Sequence, residues 1–490
     1  MKYFTKNLLI ALFVAISILG CGDTTNDNSE LNAIIKANKL TGNPLTNKIT
    51  PKISDEKAQL GMHLFFSKSL GGDRDSACVS CHHPMLGGGD NLSLPIGVGA
   101  VNPNLLGKGR LHDASSIHYD GGPLVPRNAP TTFNISCWKK VLFHDGRIES
   151  IKDKKITTPD AQYLLPDELA TENLVSAQSR FPLTSPEEMK GFQHEDKDNQ
   201  EIREYIAGRL GGYGEGKDEL KNHDYWLKKF QATFKKPNAT GEELITEQNI
   251  AMLIGEYENS QNFTNTPWRE YIEGNTLAIS SSAKAGALLF YKSIKDGGAN
   301  CASCHGGDFF TDEKFHNIAM PQLGNGKGSG DDGIEDFGRM LTTKNLKDKY
   351  AFRTPTLLNV EVTGPWGHTG AYTSLTAIVK HHLSPKEAIK NYKTSQLSQG
   401  GLQNLDKLKE NTNKAVIALE EARAKGLDVL EENNLSDEQV NNLVEFLYTL
   451  TDPCVLDEAC LSKWIPKLNE DPNKDQLDAV DGKGKILGRE

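Results

Sequence analysis

The sequence predicts a mainly α-helical protein that is built from two similar units joined by long loops. A short motif occurs twice, as CVSCH in residues 78–82 and as CASCH in residues 301–305. A similar apolar run precedes each copy, GMHLFF in residues 61–66 and GALLFY in residues 286–291. Few segments alternate apolar and polar residues as half-buried strands do. With 490 residues, the chain is also long enough for two or three domains.

Each copy of the motif predicts the covalent attachment of one haem. In an exported protein, Cys-x-x-Cys-His is the attachment signal for a c-type haem. The two thiols add to the porphyrin vinyl groups, and the adjoining His becomes the proximal iron ligand. A zinc site or a redox Cys-x-x-Cys would not explain a His directly after the second Cys in both copies. We therefore predict two covalently bound haem c groups in two cytochrome c-like domains, held by Cys78, Cys81 and His82 and by Cys301, Cys304 and His305.

Two further helices have clear start signals. Thr246 can cap a helix that carries apolar residues on one face, and Ser436 with Gln439 forms a capping box. Each would close one unit, so that a unit consists of a helix, a haem loop, a long connection and a closing helix. The long connections include residues 86–130, 157–188 and 306–336, and the glycine-rich run 324–333 is predicted to be a mobile surface loop.

The start of the chain resembles an export signal. Lys2 and Lys6 precede an apolar run over residues 8–19, and the run ends at small residues before Cys21. This pattern is similar to a bacterial lipoprotein processing site, after which Cys21 would become a lipidated N-terminus. We therefore expect a periplasmic protein that is lipid-anchored to the cell envelope, at the outer membrane if the cell is Gram-negative.

The expected domain organisation follows from these features. Residues 1–20 are predicted to be the signal peptide, and residues 21–50, which are polar, a flexible tether. The N-terminal haem domain would span residues 51–275 and the C-terminal haem domain residues 276–466. Residues 467–490 are charged and lack periodicity, so we expect a frayed tail.

Three cysteines remain after the lipid and haem sites are assigned. Cys454 and Cys460 flank a short acidic turn, and in an oxidising compartment they are expected to form a local disulfide. Cys137 would be a lone buried thiol among apolar neighbours.

The overall charge bears on the partners. A net charge of -10 and a pI near 5.8 do not favour nucleic acid as a partner. They suit the docking of a small basic electron carrier. A homodimer is left open.

Several runs in the same order resemble those of the bacterial dihaem cytochrome c peroxidase family, which also contains the protein-modifying dihaem enzyme MauG. The resemblance covers roughly residues 54–451. It rests on RNAPT (127–131), DGR (145–147), FP (181–182), SPEEM (185–189), FRTP (352–355) and TGPWGHTG (363–370).

The resemblance implies an enzyme that reduces hydrogen peroxide to water with electrons from a small c-type cytochrome or a copper protein. The N-terminal haem would react with peroxide, and the C-terminal haem would transfer electrons. One alternative is a MauG-like oxidase of protein side chains, and another is a non-enzymatic dihaem electron carrier.

The family's peroxide pocket uses a Gln, a Pro and a Glu, which fall here on Gln178, Pro182 and Glu188. Peroxide cleavage needs a group that takes a proton from one oxygen and returns it to the other, and a desolvated carboxylate suits this role. We assign it to Glu188. A Glu in this run could instead serve as a helix N-terminal charge, and we assign that role to Glu187.

The chain departs from the family at the N-terminal haem. Peroxidases that need reductive activation place a removable His ligand in an Ile-Gly-His-Gly run, where this chain has Val98. Because valine cannot bind iron, the resting N-terminal haem should have an open face. The alternative is that His112 or His118, in the following insertion, supplies a ligand.

The second iron ligand of the C-terminal haem is also read from the resemblance. Counting from His368, the position that holds Met in peroxidases and Tyr in MauG is His382. A His305/His382 pair would close this haem and give it a lower potential than Met ligation would. Met340 is the competing ligand, and His381 is expected to face elsewhere.

The family also binds one Ca²⁺ between its domains, through residues that match Asn128, Thr363 and Pro365. Oxygen ligands suit this hard cation.

A Trp usually lies between the two haems, but this chain has His144 at that position. The electron route is therefore left open, with Trp138 and Trp366 as candidates by sequence proximity.

Overall fold

The computed structural model describes residues 24–171 and 173–489, so the expected signal peptide and Cys21 lie outside the described residues. The N-terminal half contains α1 (Thr24–Ala37), α2 (Glu56–Phe65), α3 (Leu174–Ser179), α4 (Asn199–Gly211), α5 (His223–Phe234), α6 (Gly241–Leu244), α7 (Glu247–Asn259) and α8 (Pro267–Ile272). The C-terminal half contains α9 (Ser281–Tyr291), α10 (Met340–Thr343), α11 (Leu375–Leu383), α12 (Pro385–Lys390), α13 (Leu408–Ala424), α14 (Asp437–Tyr448) and α15 (Glu458–Leu461).

Each haem unit is built on one pair of crossing helices. Helices α2 and α7 form the pair of the N-terminal domain, and α9 and α14 form that of the C-terminal domain. A glycine lies at each crossing, because a Cβ at Gly61 would come within 1.9 Å of the Leu253 carbonyl and one at Gly286 within 1.8 Å of the Asn442 carbonyl. The repeated runs in the sequence therefore correspond to the same packing device in both domains.

The predicted helix starts are confirmed. The Thr246 side chain accepts a hydrogen bond from the Asn249 N–H at 3.2 Å and caps α7. Ser436 and Gln439 form the capping box of α14. These caps satisfy backbone N–H groups that the first turn leaves without helical partners.

Strands are short, as expected for a mainly α-helical protein. β1 (Val141–Leu142), β2 (Ile148–Ser150) and β3 (Ile156–Thr157) form an antiparallel three-stranded sheet, in which Leu142 pairs with Ile148. β4 (Phe315–His316) and β5 (Phe352–Arg353) pair antiparallel. Both sheets flank the boundary between the two halves, since Arg353 N donates to the His144 carbonyl at 2.8 Å.

The prediction of a flexible tether over residues 21–50 is wrong for the part that the structure describes. Residues 24–37 form α1, and Leu31 and Leu40 are buried in the core of the C-terminal domain. Asp308 accepts hydrogen bonds from the backbone N–H groups of Thr41 and Gly42 at 2.9 and 2.8 Å. The tether was predicted because the segment has few large apolar residues. The burial of these two leucines is nevertheless enough to dock it on the domain.

The prediction of a frayed tail over residues 467–490 is also wrong for the described residues. Leu477 and Ala479 are buried in the core of the N-terminal domain. Leu477 N donates to the Phe66 carbonyl at 2.8 Å, and Asp475 forms an ion pair of 2.6 Å with Arg74. Long-range pairing therefore orders a segment that has no periodicity of its own, and the tail belongs structurally to the N-terminal domain.

The cysteine predictions are confirmed. Cys454 and Cys460 form a disulfide with a Cα–Cα distance of 5.4 Å, and Cys137 is a buried free thiol. No helix of the described residues is long and apolar enough to cross a membrane.

Candidate functional site

The first haem motif lies at the wall of a large cavity in the N-terminal domain. The cavity has a volume of about 810 Å³, and Cys78, Cys81 and His82 line it. The Nδ1 atom of His82 lies 3.2 Å from the Gly88 carbonyl, which fixes this nitrogen as the donor. Nε2 is thereby left to bind a metal, as a proximal ligand requires. The donor set and the space fit a haem c.

The proposed catalytic residues line the same cavity. Gln178 is on α3, whose first turn is capped by Asn173, and Pro182 follows shortly after this helix. Glu188 is within a π-helical turn over Pro186–Lys190. Burial raises the pKa of Glu188, and the nearby Arg147 opposes this effect in part. The structure therefore brings the three residues together around one space, with a desolvated carboxyl in the pocket.

Glu187 has a different environment from Glu188. Its carboxylate accepts a hydrogen bond of 3.0 Å from the Ser185 hydroxyl at the start of the turn. This contact fits the structural role that the sequence suggested for Glu187.

The loop that carries Val98 packs directly against Glu187 and Glu188. Val98 is buried, and its N–H donates to the Glu187 carbonyl at 3.2 Å. A Cβ at Gly97 would lie 2.4 Å from the Glu188 carbonyl, so this close approach requires glycine. The position of the family's removable His therefore lies beside the proposed acid/base.

The two histidines of the insertion occupy different environments. His118 lines the cavity, and its ring stacks on Phe192 with 3.7 Å between centroids. His112 packs under Gly99 and stacks on Tyr119 with 5.4 Å between centroids. Of these two alternative ligands, only His118 belongs to the lining of the cavity.

In the C-terminal domain, two histidine rings face each other. The ring centroids of His305 and His382 are 6.2 Å apart. His305 Nδ1 lies 3.2 Å from the Phe310 carbonyl, and His382 Nδ1 lies 2.9 Å from the Ile378 carbonyl. Both rings thus keep Nε2 free for a metal, and Cys301 and Cys304 are the adjacent thiols. This donor set fits a haem that two imidazoles and two thiols would hold.

His381 cannot serve in place of its neighbour. Both of its ring nitrogens have partners, the Tyr372 hydroxyl at 2.8 Å and the Ile318 carbonyl at 2.8 Å. His382 is on helix α11, whereas the competing candidate Met340 begins α10.

A buried charge cluster lies between the two halves. Arg127 donates to Asp145 at 2.6 Å in the N-terminal half and to Asp336 at 2.6 Å in the C-terminal half. The Arg127 guanidinium is the main reason that the pKa of Asp336 is lowered despite burial. The RNAPT and DGR runs that carried the family resemblance thus meet at the domain boundary.

The residues of the predicted calcium site lie on neighbouring segments. Asn128 N donates to the His368 carbonyl at 2.8 Å, and the Asn128 amide lies within 2.9 Å of a Cβ built on Gly370. Among the described residues, none donates a hydrogen bond to Asn128 Oδ1 or to the carbonyls of Thr363 and Pro365. These oxygens are the donor type that Ca²⁺ prefers.

Trp138 joins the two haem regions, whereas His144 has a local role. Trp138 lines the N-terminal cavity and packs edge-to-face on Phe309, with 5.2 Å between centroids. Phe309 is next to Phe310, whose carbonyl holds His305. His144 Nε2 donates to the Asn128 carbonyl at 2.9 Å, and burial lowers the pKa of His144 to about 4. The other aromatic candidate, Trp366, donates to the Val360 carbonyl at 3.0 Å.

Sequence reasoning missed three polar residues around the N-terminal cavity. Lys327, from the loop expected to be a mobile surface loop, lines it from the C-terminal half. Glu258 on α7 also lines it, and burial raises the pKa of Glu258 to about 8. Arg110 holds the loop of Val98 through buried hydrogen bonds. No local signal could have found them, because each is near the cavity only after folding.

Comparisons with known proteins agree with this geometry. The sequence profile of a family described as di-haem cytochrome c peroxidase matches residues 55–277. The chain is 26% identical over 361 residues to the methylamine utilization protein MauG of Methylorubrum extorquens, covering 74% of this chain and 77% of that protein. It is 24% identical over 332 residues to the cytochrome c551 peroxidase of Nitrosomonas europaea, covering 68% and 74%.

Solved structures show the same fold. A MauG-like protein associated with microbial copper homeostasis superposes with a TM-score of 0.53 at 19% identity, covering 85% of this chain and 96% of that one. The diheme peroxidase BthA from Burkholderia thailandensis superposes with a TM-score of 0.52 at 17% identity, covering 89% and 92%.

Two haem motifs on a duplicated helical scaffold, one beside a cavity with a carboxyl and one with a facing pair of histidines, define a dihaem oxidoreductase of the peroxidase and oxidase class. Over residues 55–277 the chain matches the di-haem cytochrome c peroxidase family, and the description of that family implies two haem c groups.

Proposed function

We propose that this protein is a periplasmic peroxidase that reduces hydrogen peroxide to water with electrons from a small c-type cytochrome or a copper protein. The observation that supports this most is the asymmetry of the two haem sites. A half-buried carboxyl, Glu188, shares a large cavity with His82, whereas His305 faces a second imidazole from His382. One site thus has room for a small substrate, and the other is closed to it.

Cys78, Cys81 and His82 would hold a haem, which would supply the iron for peroxide reduction when bound. Glu188 accepts a proton from one peroxide oxygen and returns it to the other, which leaves as water. Burial raises the pKa of Glu188 above its ordinary value, which makes the protonated carboxyl easier to form and suits a group that both accepts and donates a proton. Gln178 orients the peroxide by hydrogen bonding, and Pro182 narrows the pocket without adding a competing donor.

The C-terminal site would deliver electrons. Two imidazoles leave no position for a substrate, so His305 and His382 hold a haem that only transfers charge. Contact between Trp138 and Phe309 provides packed atoms between the two regions, which supports a route that avoids His144. Met340 remains the alternative second ligand.

A calcium ion held by Asn128, Thr363 and Pro365 would fix the boundary between the domains. Asn128 belongs to the N-terminal half of the chain, and Thr363 and Pro365 belong to the C-terminal half. Fixing this boundary would hold the two haems at a constant separation.

The proposed location and partners follow from the ends and the surface of the chain. Lipidation at Cys21 would anchor the protein to the envelope. The net charge of -10 suits a basic electron donor. A homodimer is compatible with these features.

The test is peroxide turnover with a reduced small c-type cytochrome, measured for the wild type and for Glu188→Gln. We expect the variant to keep both haems and to lose turnover by about 10²-fold or more, because a positioned acid/base is removed. Glu187→Gln is the matched control, since its carboxylate bonds only to Ser185 among the residues described. Near-normal turnover in Glu188→Gln would remove Glu188 from the mechanism.

The pH profile gives a second measurement. Glu188 must be ionised to accept a proton, and its pKa is raised. Turnover should therefore fall as the pH drops through a value above the ordinary carboxyl range, and this acid limb should be absent from the residual activity of Glu188→Gln. An acid limb within the ordinary range would contradict the assignment.

The second candidate is a MauG-like oxidase of protein side chains, favoured by the 26% identity to MauG. His382 and His144 stand where MauG-like enzymes would have Tyr and Trp. Rapid peroxide turnover with reduced cytochrome supports the peroxidase, whereas slow turnover with peroxide-dependent oxidation of a protein side chain supports the oxidase.

A further inference from the structure

Arg110 has an unusual environment for a charged side chain. It is 1% exposed, and among the described residues no carboxylate lies within ion-pair distance of its guanidinium. All of its hydrogen bonds go to backbone carbonyls of the loop that precedes it. They are Nε to Ile96 at 2.7 Å, Nη2 to Gly97 at 3.1 Å, and Nη1 to Asn102 at 3.4 Å, Pro103 at 3.0 Å and Leu105 at 2.9 Å.

Burial lowers the pKa of Arg110, and two carboxyls that do not pair with it, the buried Asp90 and the half-buried Asp75, oppose this effect. Asp75 also accepts a hydrogen bond from the Gly99 N–H at 2.7 Å. The loop over residues 96–99 is therefore held at its carbonyls by a cation and at its last N–H by an anion. Burying such a group without pairing is costly, so the arrangement requires the loop to stay where it is.

The same loop supports the backbone of Glu188. Val98 N–H bonds to the Glu187 carbonyl, and Gly97 approaches the Glu188 carbonyl too closely for any Cβ. Within the Glu188 turn, the N–H groups of residues 188–190 donate to the Ser185 carbonyl, and outside it Gly72 N donates to the Met189 carbonyl at 2.8 Å. The 96–99 loop is the segment that contacts the Glu187 and Glu188 carbonyls, and Arg110 holds that loop.

We infer that Arg110 is a positioning residue for Glu188, which acts by locking the 96–99 loop against the backbone of the Glu188 turn. This inference rests on the proposed role of Glu188 and adds the element that holds it in place. Arg110 lies in the insertion that follows Val98. The proposed positioning residue is therefore close in sequence to the valine that replaces the family's removable His.

The test uses the full-length, haem-loaded protein and compares Arg110→Lys with the wild type. An ammonium group keeps the charge, but it cannot bond at the same time to the carbonyls of residues 96–97 and to those of residues 102–105, as the guanidinium does. Hydrogen–deuterium exchange is followed in peptides that cover residues 93–101 and 183–192. We expect exchange to be at least about tenfold faster in both peptides, because the loop and the turn open together.

A second readout is specific to positioning. When the turn loosens, water reaches the Glu188 carboxyl and its pKa returns toward the ordinary range. The acid limb of the turnover profile should then move to lower pH in Arg110→Lys, together with a fall in kcat. A residue with only a structural role would lower the amount of folded enzyme and leave the limb in place.

Arg423→Lys is the matched control. Arg423 also holds a loop carbonyl, donating to Leu430 at 2.6 Å, but it is on α13 of the C-terminal domain. Exchange in the two peptides and the acid limb should be unchanged in this variant.

Gly97→Ala keeps the proposal testable if Arg110→Lys does not fold. Its new Cβ would push on the Glu188 carbonyl while Arg110 stays intact, so we expect the same faster exchange in residues 183–192 and the same shift of the acid limb.

The proposal would be overturned if exchange became faster in residues 93–101 while exchange in residues 183–192 and the acid limb of the turnover profile stayed the same. Unchanged exchange in both peptides would overturn it as well. Failure of the proposed function is seen separately, as normal turnover in Glu188→Gln. In that case, faster exchange in both peptides would still show that the loop and the turn are coupled, but the coupling would have no role in catalysis.

Discussion

The two haem regions share one scaffold but differ in what faces the proximal histidine. Each has a Cys-x-x-Cys-His loop after the first helix of a crossing pair, with Gly61 and Gly286 at equivalent close contacts. Opposite His305, helix α11 presents His382. The N-terminal cavity instead has Glu188, on a π-helical turn. The difference teaches that the duplicated helices form a common scaffold, whereas the element that faces the proximal histidine distinguishes the two sites.

Val98→His tests the open side of this comparison and should have the largest effect. An imidazole at this position would close the N-terminal haem. A ligand favoured by about 2.7 kcal/mol leaves about one molecule in a hundred open, so resting turnover should fall about 10²-fold. The oxidised spectrum should change from one high-spin and one low-spin haem to two low-spin haems, with a lag that prior reduction relieves.

Val101→His is the control for this change, since Val101 is 66% exposed in the same segment. Two low-spin haems in the unmodified protein would instead favour His118 or His112 as a ligand and contradict the open site.

His382→Met tests the closed side. A thioether ligand raises the potential of a haem relative to a second imidazole, within the range of about 0.8 V that axial ligands span. A spectroelectrochemical titration should show a higher C-terminal potential and an unchanged rate of peroxide binding at the N-terminal haem. His381→Met should leave the ligands of the haem unchanged and should produce no iron–thioether absorption band. The reason is that the ring nitrogens of His381 already bond to Tyr372 and Ile318. If only His381→Met alters the haem, the ligand assignment is wrong.

Gly61→Ala and Gly286→Ala test whether the scaffold is equivalent in both domains. Each new Cβ would meet a backbone carbonyl at less than 2 Å, and overpacking of this kind costs about 1–3 kcal/mol of unfolding free energy. Denaturant unfolding should show a similar loss for both variants. Gly400→Ala is the control, because nothing lies within 4 Å of its Cβ. A loss in only one of the two variants would mean that the helix crossings are not equivalent.

Removal of calcium should have the smallest effect. Chelation is expected to slow electron transfer between the haems, measured by stopped-flow absorbance, and to leave both haems attached. The Arg127 cluster still joins the halves without the ion, which limits the change. If exhaustive chelation alters no rate and elemental analysis finds no metal, the site at Asn128, Thr363 and Pro365 is wrong.

The parts of the fold that sequence could predict are those whose signals are local. The two attachment motifs, the caps at Thr246 and Ser436, and the Cys454–Cys460 disulfide each depend on a few neighbouring residues. Leu31 and Leu477 gave no such signal, because their burial depends on partners from the opposite end of the chain.

The candidate site divides in the same way. Glu188 and His382 were predicted from runs that resemble those of a known family, and the structure places Glu188 at the N-terminal cavity and His382 opposite His305. Arg110 and Lys327 could not be found, since a basic residue in a polar loop is ordinarily solvated. Their burial or proximity to the cavity arises from contacts across the insertion and across the domain boundary.

Each end of the chain packs on the domain that is farther from it in sequence: the N-terminal segment on the C-terminal domain, and the C-terminal segment on the N-terminal domain. Helix α1 packs on the C-terminal domain, and residues around Leu477 complete the core of the N-terminal domain that Cys78 packs against. The core of each domain thus includes residues that lie beyond the other domain in sequence, so neither domain, cut out at its sequence boundaries, would have a complete core.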